Sequence, residues 1–282
     1  MKQFSVIFNN KTYFFDSKKP LNLAIELVAG NENPNCYYAE NPVFETIKAD
    51  NFIGSVAQGG SCNYQKIMLT PHGNGTHTEC YGHISADENA TVSKCFNENL
   101  FVAQLITLTP KVQENNGFAN DFANDLVVDY EDFMIALEGK EISEIEAIIM
   151  RTLPNSIEKK TKKYSNTNPP YLDFRICKYL ADNNITHLLL DLPSVDKEVD
   201  GGELKAHKAF WQMSGNQQDN QQNSQQNSQQ NNQQDIRKNA GITEMIFVDN
   251  EIKDGLYLLD LQILRMNIDA VPSKPILYEL YQ

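Results

Sequence analysis

The sequence predicts an α/β fold, a compact mixed β-sheet with few helices. The apolar runs 146–152 and 187–192 have the length and composition of buried strands. Between them, apolar residues recur at helical spacing over 172–183. Strand, helix and strand in this order predict a βαβ unit, whose two strands pair in parallel. Segments 2–8 and 11–16 flank an Asn-Asn turn signal and favour an antiparallel hairpin, so both kinds of strand pairing are expected.

The other elements follow from local signals along the chain. Residues 21–28 form a further apolar run, and the Pro/Asn/Gly-rich stretch 30–63 predicts loops with short strands. Asp129 is the predicted N-cap of a helix over 130–138, which Gly139 ends. Apolar content predicts four more strands, at 66–70, 100–108, 243–248 and 256–266.

The overall composition limits the class of protein. The chain has 282 residues, enough for one large domain or two ordinary ones, and its hydrophobic fraction of 41% is typical of a globular protein. A net charge of −13 argues against nucleic-acid binding, because phosphate contacts need a basic surface. The N-terminus lacks the apolar core of a signal peptide, and no apolar run is long enough to cross a bilayer. We therefore expect a cytoplasmic protein without a membrane partner.

The cysteines favour reduced thiols rather than a disulfide framework, because they are odd in number, scattered and without a C-x-x-C pair. They are Cys36, Cys62, Cys80, Cys95 and Cys177. Cys80 lies inside a histidine-rich segment. Cys80 has two interpretations. The first is a small buried residue. The second is a nucleophile, whose thiol pKa a nearby metal would lower.

One segment differs from the rest of the chain in composition. Residues 215–234 are almost entirely Gln, Asn and Ser, with no apolar side chain to offset the entropy of ordering. We expect a disordered insertion in a loop, and the alternative is an assembly segment. If the insertion is looped out, only a short length of ordered chain separates His207, before it, from Glu244, after it. Both residues are therefore candidate metal ligands.

The most informative segment is 72–83, which holds three of the five histidines and one carboxylate. His77 and Glu79 are two residues apart and point to the same side of an extended chain. His83 is four residues beyond Glu79, the spacing that shares one face of a helical turn. An extended piece leading into a turn therefore brings the three together. Their nitrogen and oxygen donors suit zinc or manganese; the alternative is a polar surface loop with chance histidines.

This segment resembles the signature H-x-G-T-H-x-D-x-P-x-H of the metal-dependent cyclase family, which includes bacterial kynurenine formamidase and isatin hydrolase. Gly75-Thr76-His77 matches the G-T-H of the signature, Glu79 stands at its Asp, and His83 stands at its last His. Later parts of the family pattern are also similar to this chain. They are Asp191, Ser194 and Asp196 after a buried strand, a His on a helix at His207, and the Glu at Glu244.

The chain departs from the family pattern at three places. The family's first His falls on Gly73, whereas His72 lies one residue earlier, where a one-residue bulge would bring it into place. Glu79 replaces an Asp and adds one methylene. Tyr81 replaces the usual Pro. These departures leave open whether the site holds one or two metals.

The resemblance implies one cyclase-like domain over 1–282, with a swivelling β/β/α-like fold and one or two zinc or manganese ions. It also implies hydrolysis of an amide or lactone in a small cyclic or aromatic substrate, and a homodimer or larger homo-oligomer. The implied metal ligands are His72, His77, Glu79, His207 and Glu244. The implied role of His83 is proton shuttle or additional ligand.

Two other functions compete with this one. A binding protein with a degraded metal site would keep the fold without catalysis. A metal-free enzyme would use Cys80 as nucleophile and His83 as base, but no nucleophile-elbow context surrounds Cys80.

Four further residues have two interpretations each. Asp191 and Asp196 either hold a ligating imidazole in place or are ordinary turn carboxylates. Trp211 either lines a substrate pocket or packs in the core. His187, at the start of an apolar strand, is interpreted as a structural histidine.

Overall fold

Seven strands close into a ring at the centre of the molecule. The computed structural model describes residues 3–113, 125–140, 142–213 and 236–282. The strands are β1 Gln3–Phe8, β2 Lys11–Asp16, β3 Leu21–Asn22, β4 Val43–Thr46, β5 Lys48–Ala49, β6 Phe52–Ile53, β7 Gln65–Met68, β8 His77–Glu79, β9 Leu100–Leu108, β10 Lys111–Val112, β11 Leu126–Val128, β12 Ala147–Thr152, β13 Tyr171–Leu172, β14 His187–Leu190, β15 Gly241–Glu244, β16 Gly255–Ile263 and β17 Ala270–Glu279. The helices are α1 Val92–Cys95, α2 Tyr130–Leu137, α3 Phe174–Asp182 and α4 Lys205–Trp211.

The ring runs in the order β16, β9, β12, β14, β15, β8 and β17, and β17 pairs with β16 to close it. The four strands from β9 to β15 are parallel, and the other pairings in the ring are antiparallel. The short strand β3 adds to β17 outside the ring, and the predicted β1–β2 hairpin is present. The mixed α/β fold predicted from the sequence is therefore confirmed.

The predicted βαβ unit consists of β12, α3 and β14, with Ala147 opposite His187 in a parallel register. Every residue of β12 is buried, which explains its continuous apolar sequence. Ile148 and Met150 face the helices, whereas Ala147 and Ile149 belong to the opposite hydrophobic cluster. The ring thus has one apolar face under the helices and a second apolar face on its other side.

The N-cap predicted at Asp129 is also present. Its carboxylate accepts hydrogen bonds from the backbone N–H groups of Glu131 and Asp132, at 2.9 and 3.2 Å. The helix ends at Leu137, and Gly139 follows with a left-handed φ of 73°. Local sequence signals were sufficient here because the cap and its partners are neighbours in the chain.

The late strands differ from their prediction. The strand expected at 243–248 lies at Gly241–Glu244, because Met245 adopts a left-handed φ of 51° and ends it. The ten-residue strand β17 was not predicted at all. Its prolines, Pro272 and Pro275, lack the N–H donor that a strand interior normally uses, so the segment does not have the sequence pattern of a strand.

The Gln/Asn-rich tract 215–234 lies outside the described residues. On either side of that gap the chain is tied together, since the backbone N–H of Arg237 donates to the carbonyl of Trp211 at 3.2 Å. Trp211 is fully buried and its indole N–H donates to the Ala240 carbonyl at 2.8 Å, which places it in the core. In the described parts of the chain, no helix is long and apolar enough to cross a membrane.

Candidate metal centre

The histidine-rich segment takes the form that its spacing predicts, an extended piece followed by a turn. A 3₁₀ turn at Pro71–Gly73 leads into β8, and a second 3₁₀ turn follows at Tyr81–Ile84. Strand β8 is held on both sides, by β15 and β17. His77 and Glu79 point to one face of β8, while Thr78 points to the other and bonds to Thr243 and Ser273.

Glu79 is at the centre of the cluster and is fully buried. Its Oε1 lies 3.2 Å from His207 Nε2. Its Oε2 lies 3.1 Å from His72 Nδ1 and 3.8 Å from His83 Nδ1. The imidazoles of His72, His83 and His207 therefore converge on one carboxylate, although they come from three different parts of the chain.

Glu244 enters the cluster through strand register, because it lies directly opposite His77 in the β15–β8 pair. Its Oε2 is 3.4 Å from His77 Nε2, and its Oε1 accepts a hydrogen bond from the Val195 N–H at 3.1 Å. His77 Nδ1 lies 2.9 Å from the Gly75 carbonyl, to which it donates its proton. The Nε2 of His77 is left with a free lone pair directed into the cluster.

His207 reaches the cluster from α4, which covers this face of the ring. Its Nδ1 lies 2.6 Å from Asp196 Oδ2 and donates to it, so Nε2 faces Glu79. The Asp196 carboxylate also accepts the backbone N–H groups of Ala206 and His207, at 2.8 and 3.1 Å. Asp196 therefore fixes both the start of α4 and the orientation of the His207 ring.

The buried donor atoms of this cluster fit a divalent metal. Within the described part of the chain, His77 Nε2, His207 Nε2 and both carboxylate oxygens of Glu79 are buried and have no hydrogen-bond partner. Buried polar groups without partners are rare in proteins, because each costs about 1–3 kcal/mol. Donor atoms of His72, His77 and Glu79 lie within 4.8 Å of one another, as do those of Glu79, His83 and His207. The Glu79 carboxylate therefore joins two groups of donors, whose nitrogen and oxygen chemistry is that of a zinc or manganese site.

The charged groups of the cluster shift one another's pKa values. Burial opposes ionisation of Glu79, but the neighbouring imidazoles of His83, His207 and His72 hold its pKa well below the usual range. Burial also opposes protonation of His207, yet Asp196 and Glu79 raise its pKa to about 10. Likewise, Asp269 and Glu79 raise the pKa of His72 to about 10 despite burial. In the metal-free cluster, protons on these rings balance the carboxylates.

The structure brings together all of the site residues predicted from the sequence, namely His72, His77, Glu79, His83, His207 and Glu244. His83 is the most accessible, with 30% of its side chain exposed, and its ring lies 4.2 Å from that of His72 between centroids. One further carboxylate, Asp269, belongs to the cluster and was not predicted. Its Oδ2 is 2.8 Å from His72 Nε2 and 3.6 Å from His83 Nδ1.

Not all of the remaining candidate residues belong to the cluster. Asp191 bonds to Thr152 and Lys159 and lies outside the cluster, so of the two aspartates only Asp196 holds an imidazole. His187 is buried against Phe96 and Phe101, with ring centroids 5.7 and 4.1 Å apart, as expected of a structural histidine.

Cys80 is fully buried and packs with Val92 and Val271. The Cys95 side chain and burial raise the pKa of its thiol far above the ordinary value. A thiol in this state is a poor nucleophile, because the reactive form is the thiolate.

The family model described as "Putative cyclase" matches residues 6–197, which is more than half of the chain. The chain belongs to the cyclase family. The matched region contains the histidine-rich segment and Asp196, but it ends before His207, Glu244 and Asp269. The structure is what connects these later residues to the cyclase-family segment. No curated protein matches the sequence.

Solved structures share the fold of this cyclase-family chain. A predicted metal-dependent hydrolase from Bacillus stearothermophilus superposes with a TM-score of 0.57 at 15% identity, covering 92% of this chain and 98% of that one. Isatin hydrolase A from Labrenzia aggregata, bound to benzyl benzoate, gives a TM-score of 0.57 at 12% identity, covering 92% and 93%. An isatin hydrolase bound to the product analogue thioisatinate gives 0.57 at 14%, covering 94% of each chain.

Proposed function

We propose that this cyclase-family protein is a metal-dependent hydrolase, which uses zinc or manganese to cleave an amide or lactone bond in a small cyclic or aromatic substrate. The observation that carries the proposal concerns the five buried side-chain atoms of described residues that have no hydrogen-bond partner. Four of them, on His77, Glu79 and His207, lie in this one cluster, and the fifth is Nδ1 of His187. In the metal-free cluster these atoms have only ion-pair contacts, such as His207 Nε2 to Glu79 Oε1 at 3.2 Å and His77 Nε2 to Glu244 Oε2 at 3.4 Å. A divalent cation would give them the partners that buried polar atoms normally have.

The residues that would hold the metal are His77 through Nε2, His207 through Nε2, and the carboxylates of Glu79 and Glu244. His72 faces the same carboxylate through Nδ1. Glu79 would offer both of its carboxylate oxygens, and whether the site takes one ion or two is part of the proposal. When bound, a divalent metal supplies an acidified water and an electrophile for the substrate carbonyl.

His83 is the residue placed to move a proton. Its side chain is the most exposed of the cluster's histidines, and its Nδ1 lies 3.6 Å from Asp269 Oδ2 and 3.8 Å from Glu79 Oε2. In hydrolysis, water adds to the carbonyl carbon, the C–N or C–O bond breaks, and the leaving atom must receive a proton. A partly exposed imidazole beside carboxylates can take that proton from water and return it to the leaving group.

The substrate class is supported by the solved relatives. Two of the proteins that share this fold are isatin hydrolases, and a third is described as a predicted metal-dependent hydrolase. Isatin is a cyclic aromatic amide. At 12–15% identity these proteins share the fold with our chain, so the substrate itself is part of the proposal.

The test combines metal analysis with turnover. Protein purified without chelator is assayed for zinc and manganese, then for hydrolysis of a panel of formamides, cyclic amides and lactones. We expect His77→Ala to lose both metal and activity. We expect His83→Gln to keep the metal but to lose about 10²–10⁴-fold in kcat, the usual contribution of a general acid–base group. Glu279→Gln, at the exposed far end of β17, is the control and should behave as wild type.

Two outcomes would contradict the proposal. Absence of bound metal, even after reconstitution, removes the hydrolytic chemistry described above. Stoichiometric metal without turnover on any class of the panel would favour a binding protein on the same fold. If His83→Gln loses metal as well, His83 is a ligand and another group must move the proton.

A further inference from the structure

The first histidine of the family signature has no room at its usual position in this chain. That position is Gly73, and a Cβ atom built there would lie 2.3 Å from Ala39 Cβ and 3.1 Å from the Cys36 carbonyl oxygen. Contacts this close with backbone and with a short side chain cannot be relieved by a rotamer change. Any histidine at this part of the loop must therefore stand at a neighbouring position, and in this sequence it is His72.

The backbone around His72 is fixed by the same segment that excludes a side chain at Gly73. The Cys36 N–H donates to the Gly73 carbonyl at 3.1 Å, and Cys36 Sγ donates to the His72 carbonyl at 3.1 Å. These contacts locate the start of the His72 side chain, but they do not select which ring nitrogen faces Glu79. A second partner is needed for that.

Asp269 is that partner. His72 Nε2 lies 2.8 Å from Asp269 Oδ2, while the other ring nitrogen, Nδ1, lies 3.1 Å from Glu79 Oε2. Asp269 is itself held beside Glu79 by the backbone. The Cys80 N–H donates to the Asp269 carbonyl at 3.0 Å, and the next residue, Ala270, pairs with Glu79 in the β8–β17 register.

The arrangement repeats the one around His207. There, Asp196 accepts the Nδ1 proton and leaves Nε2 facing Glu79 Oε1; here, Asp269 accepts the Nε2 proton and leaves Nδ1 facing Glu79 Oε2. A carboxylate on the far nitrogen of a ligating imidazole fixes its tautomer and ring orientation. The two oxygens of Glu79 are thus each faced by a histidine that a second carboxylate orients.

We propose that Asp269 is a positioning residue, which orients the displaced His72 so that its Nδ1 serves as a metal ligand in place of the family's first histidine. The inference rests on the proposed metal site and deepens it. It makes one specific claim about energetics: Asp269 contributes to metal affinity chiefly through His72, although the same Oδ2 also lies 3.6 Å from His83 Nδ1.

A double-mutant cycle on zinc affinity tests this claim, with affinities measured by competition against a chromophoric chelator. We expect Asp269→Ala to weaken zinc binding by about 10–100-fold, the usual effect of removing a carboxylate that orients a ligand. His72→Ala should weaken it at least as much. In the His72→Ala background, Asp269→Ala should add less than about a twofold change, because the group it orients is gone.

A conservative variant and a surface control keep the result interpretable. Asp269→Asn retains an oxygen that can accept the Nε2 proton, so it should recover most of the affinity lost in Asp269→Ala. Glu279→Gln removes a carboxylate from the other end of the same strand and should leave zinc affinity unchanged. Thermal unfolding of each metal-free variant shows whether the fold is retained.

Nuclear magnetic resonance of isotope-labelled imidazoles in the zinc-loaded protein supplies the second readout. We expect the His72 signals, assigned with His72→Ala, to show a proton on Nε2 and metal on Nδ1, and this pattern to be lost in Asp269→Ala. Metal on Nε2 would overturn the proposal. So would wild-type affinity in Asp269→Ala, or additive losses in the double mutant, which would make Asp269 a ligand itself. Failure of the unmodified protein to bind zinc would instead refute the proposed function.

Discussion

Asp196 makes two hydrogen bonds to a single residue, His207, since its Oδ2 accepts from the backbone N–H at 3.1 Å and from ring Nδ1 at 2.6 Å. The carboxylate thereby ties the position of the α4 backbone to the orientation of the imidazole that this helix carries. A shift of the helix would move the ring and its bond together. The orientation of Nε2, the nitrogen that faces Glu79, is set by an acidic residue eleven positions earlier in the chain.

Replacing Asp196 should therefore weaken metal binding. We expect Asp196→Ala to lower zinc affinity by about 10–100-fold, because His207 loses the partner that fixes its tautomer. Asp200→Ala is a matched control. Its carboxylate also accepts two backbone N–H groups in the loop before α4, those of Gly202 and Leu204, but it does not touch His207. Equal losses in both variants would show that the loop, and not the imidazole, responds.

Metal binding should release protons. In the metal-free protein, carboxylate neighbours raise the pKa of His72 and of His207 to about 10, so both rings are protonated at neutral pH. A ligating nitrogen must be free of its proton, so binding displaces about two protons and apparent affinity rises with pH below about pH 10. Calorimetry in buffers of different ionisation enthalpy measures this number. His72→Ala should release about one proton fewer, and a value near zero for the wild type would contradict the prediction.

The sequence alone predicted the site residues within segment 72–83 more directly than those that lie later in the chain. His77, Glu79 and His83 could be found because one short segment contains them at spacings that strand and turn geometry translate into convergence. His207 and Glu244 became candidates because they flank the Gln/Asn-rich insertion, and the family resemblance supported them through their order along the chain. Their spacing alone does not connect them to that segment. The β15–β8 register then explains why Glu244 lies opposite His77.

Asp269 could not be found from the sequence, and the reason is physical. Asp269 lies 197 residues beyond His72 in the chain. It reaches the site because the next residue, Ala270, begins β17 and pairs there with Glu79. Recognising β17 was prevented by Pro272 and Pro275, which argue against a strand. A missed strand therefore became a missed site residue. In the same way, the family model ends at residue 197, before this part of the chain.

Asp191 should matter for stability and not for the metal. Its buried carboxylate bonds to Lys159 Nζ at 2.7 Å and to the Thr152 N–H and hydroxyl at 2.9 and 2.7 Å. Lys159→Met leaves that carboxylate buried and unpaired, and we expect a loss of about 3–5 kcal/mol in the free energy of unfolding. Zinc stoichiometry should remain that of the wild type, because Asp191 lies outside the cluster.

The double variant Lys159→Met/Asp191→Asn separates the charge from the packing. The amide that replaces the Asp191 carboxylate carries no charge and can still accept from Thr152, so the double variant should be more stable than Lys159→Met alone. Denaturant unfolding of metal-free protein measures all three chains. A double variant as unstable as the single one would show that the unpaired carboxylate does not account for the loss. The loss would then come from the other contacts of Lys159, which include its hydrogen bond to the Thr152 carbonyl at 2.6 Å.

His187 should make the protein less stable in mild acid. Burial, and then the charge of Arg237, lower the pKa of His187 to about 3, whereas in an unfolded chain this pKa is near the ordinary value of 6.5. Between these two values the unfolded chain binds a proton that the folded chain does not, so stability falls as pH falls through this window and is unaffected above it. At about pH 5 the cost relative to about pH 8 is about 2 kcal/mol.

The variant His187→Leu removes this titration and keeps an apolar side chain against Phe101. Its stability relative to the wild type should therefore improve by about 2 kcal/mol when both metal-free proteins are moved from about pH 8 to about pH 5. The metal cluster titrates in both chains, so its contribution cancels in the difference. A stability difference that does not change with pH would show that His187 is already protonated, or exposed, in the folded protein.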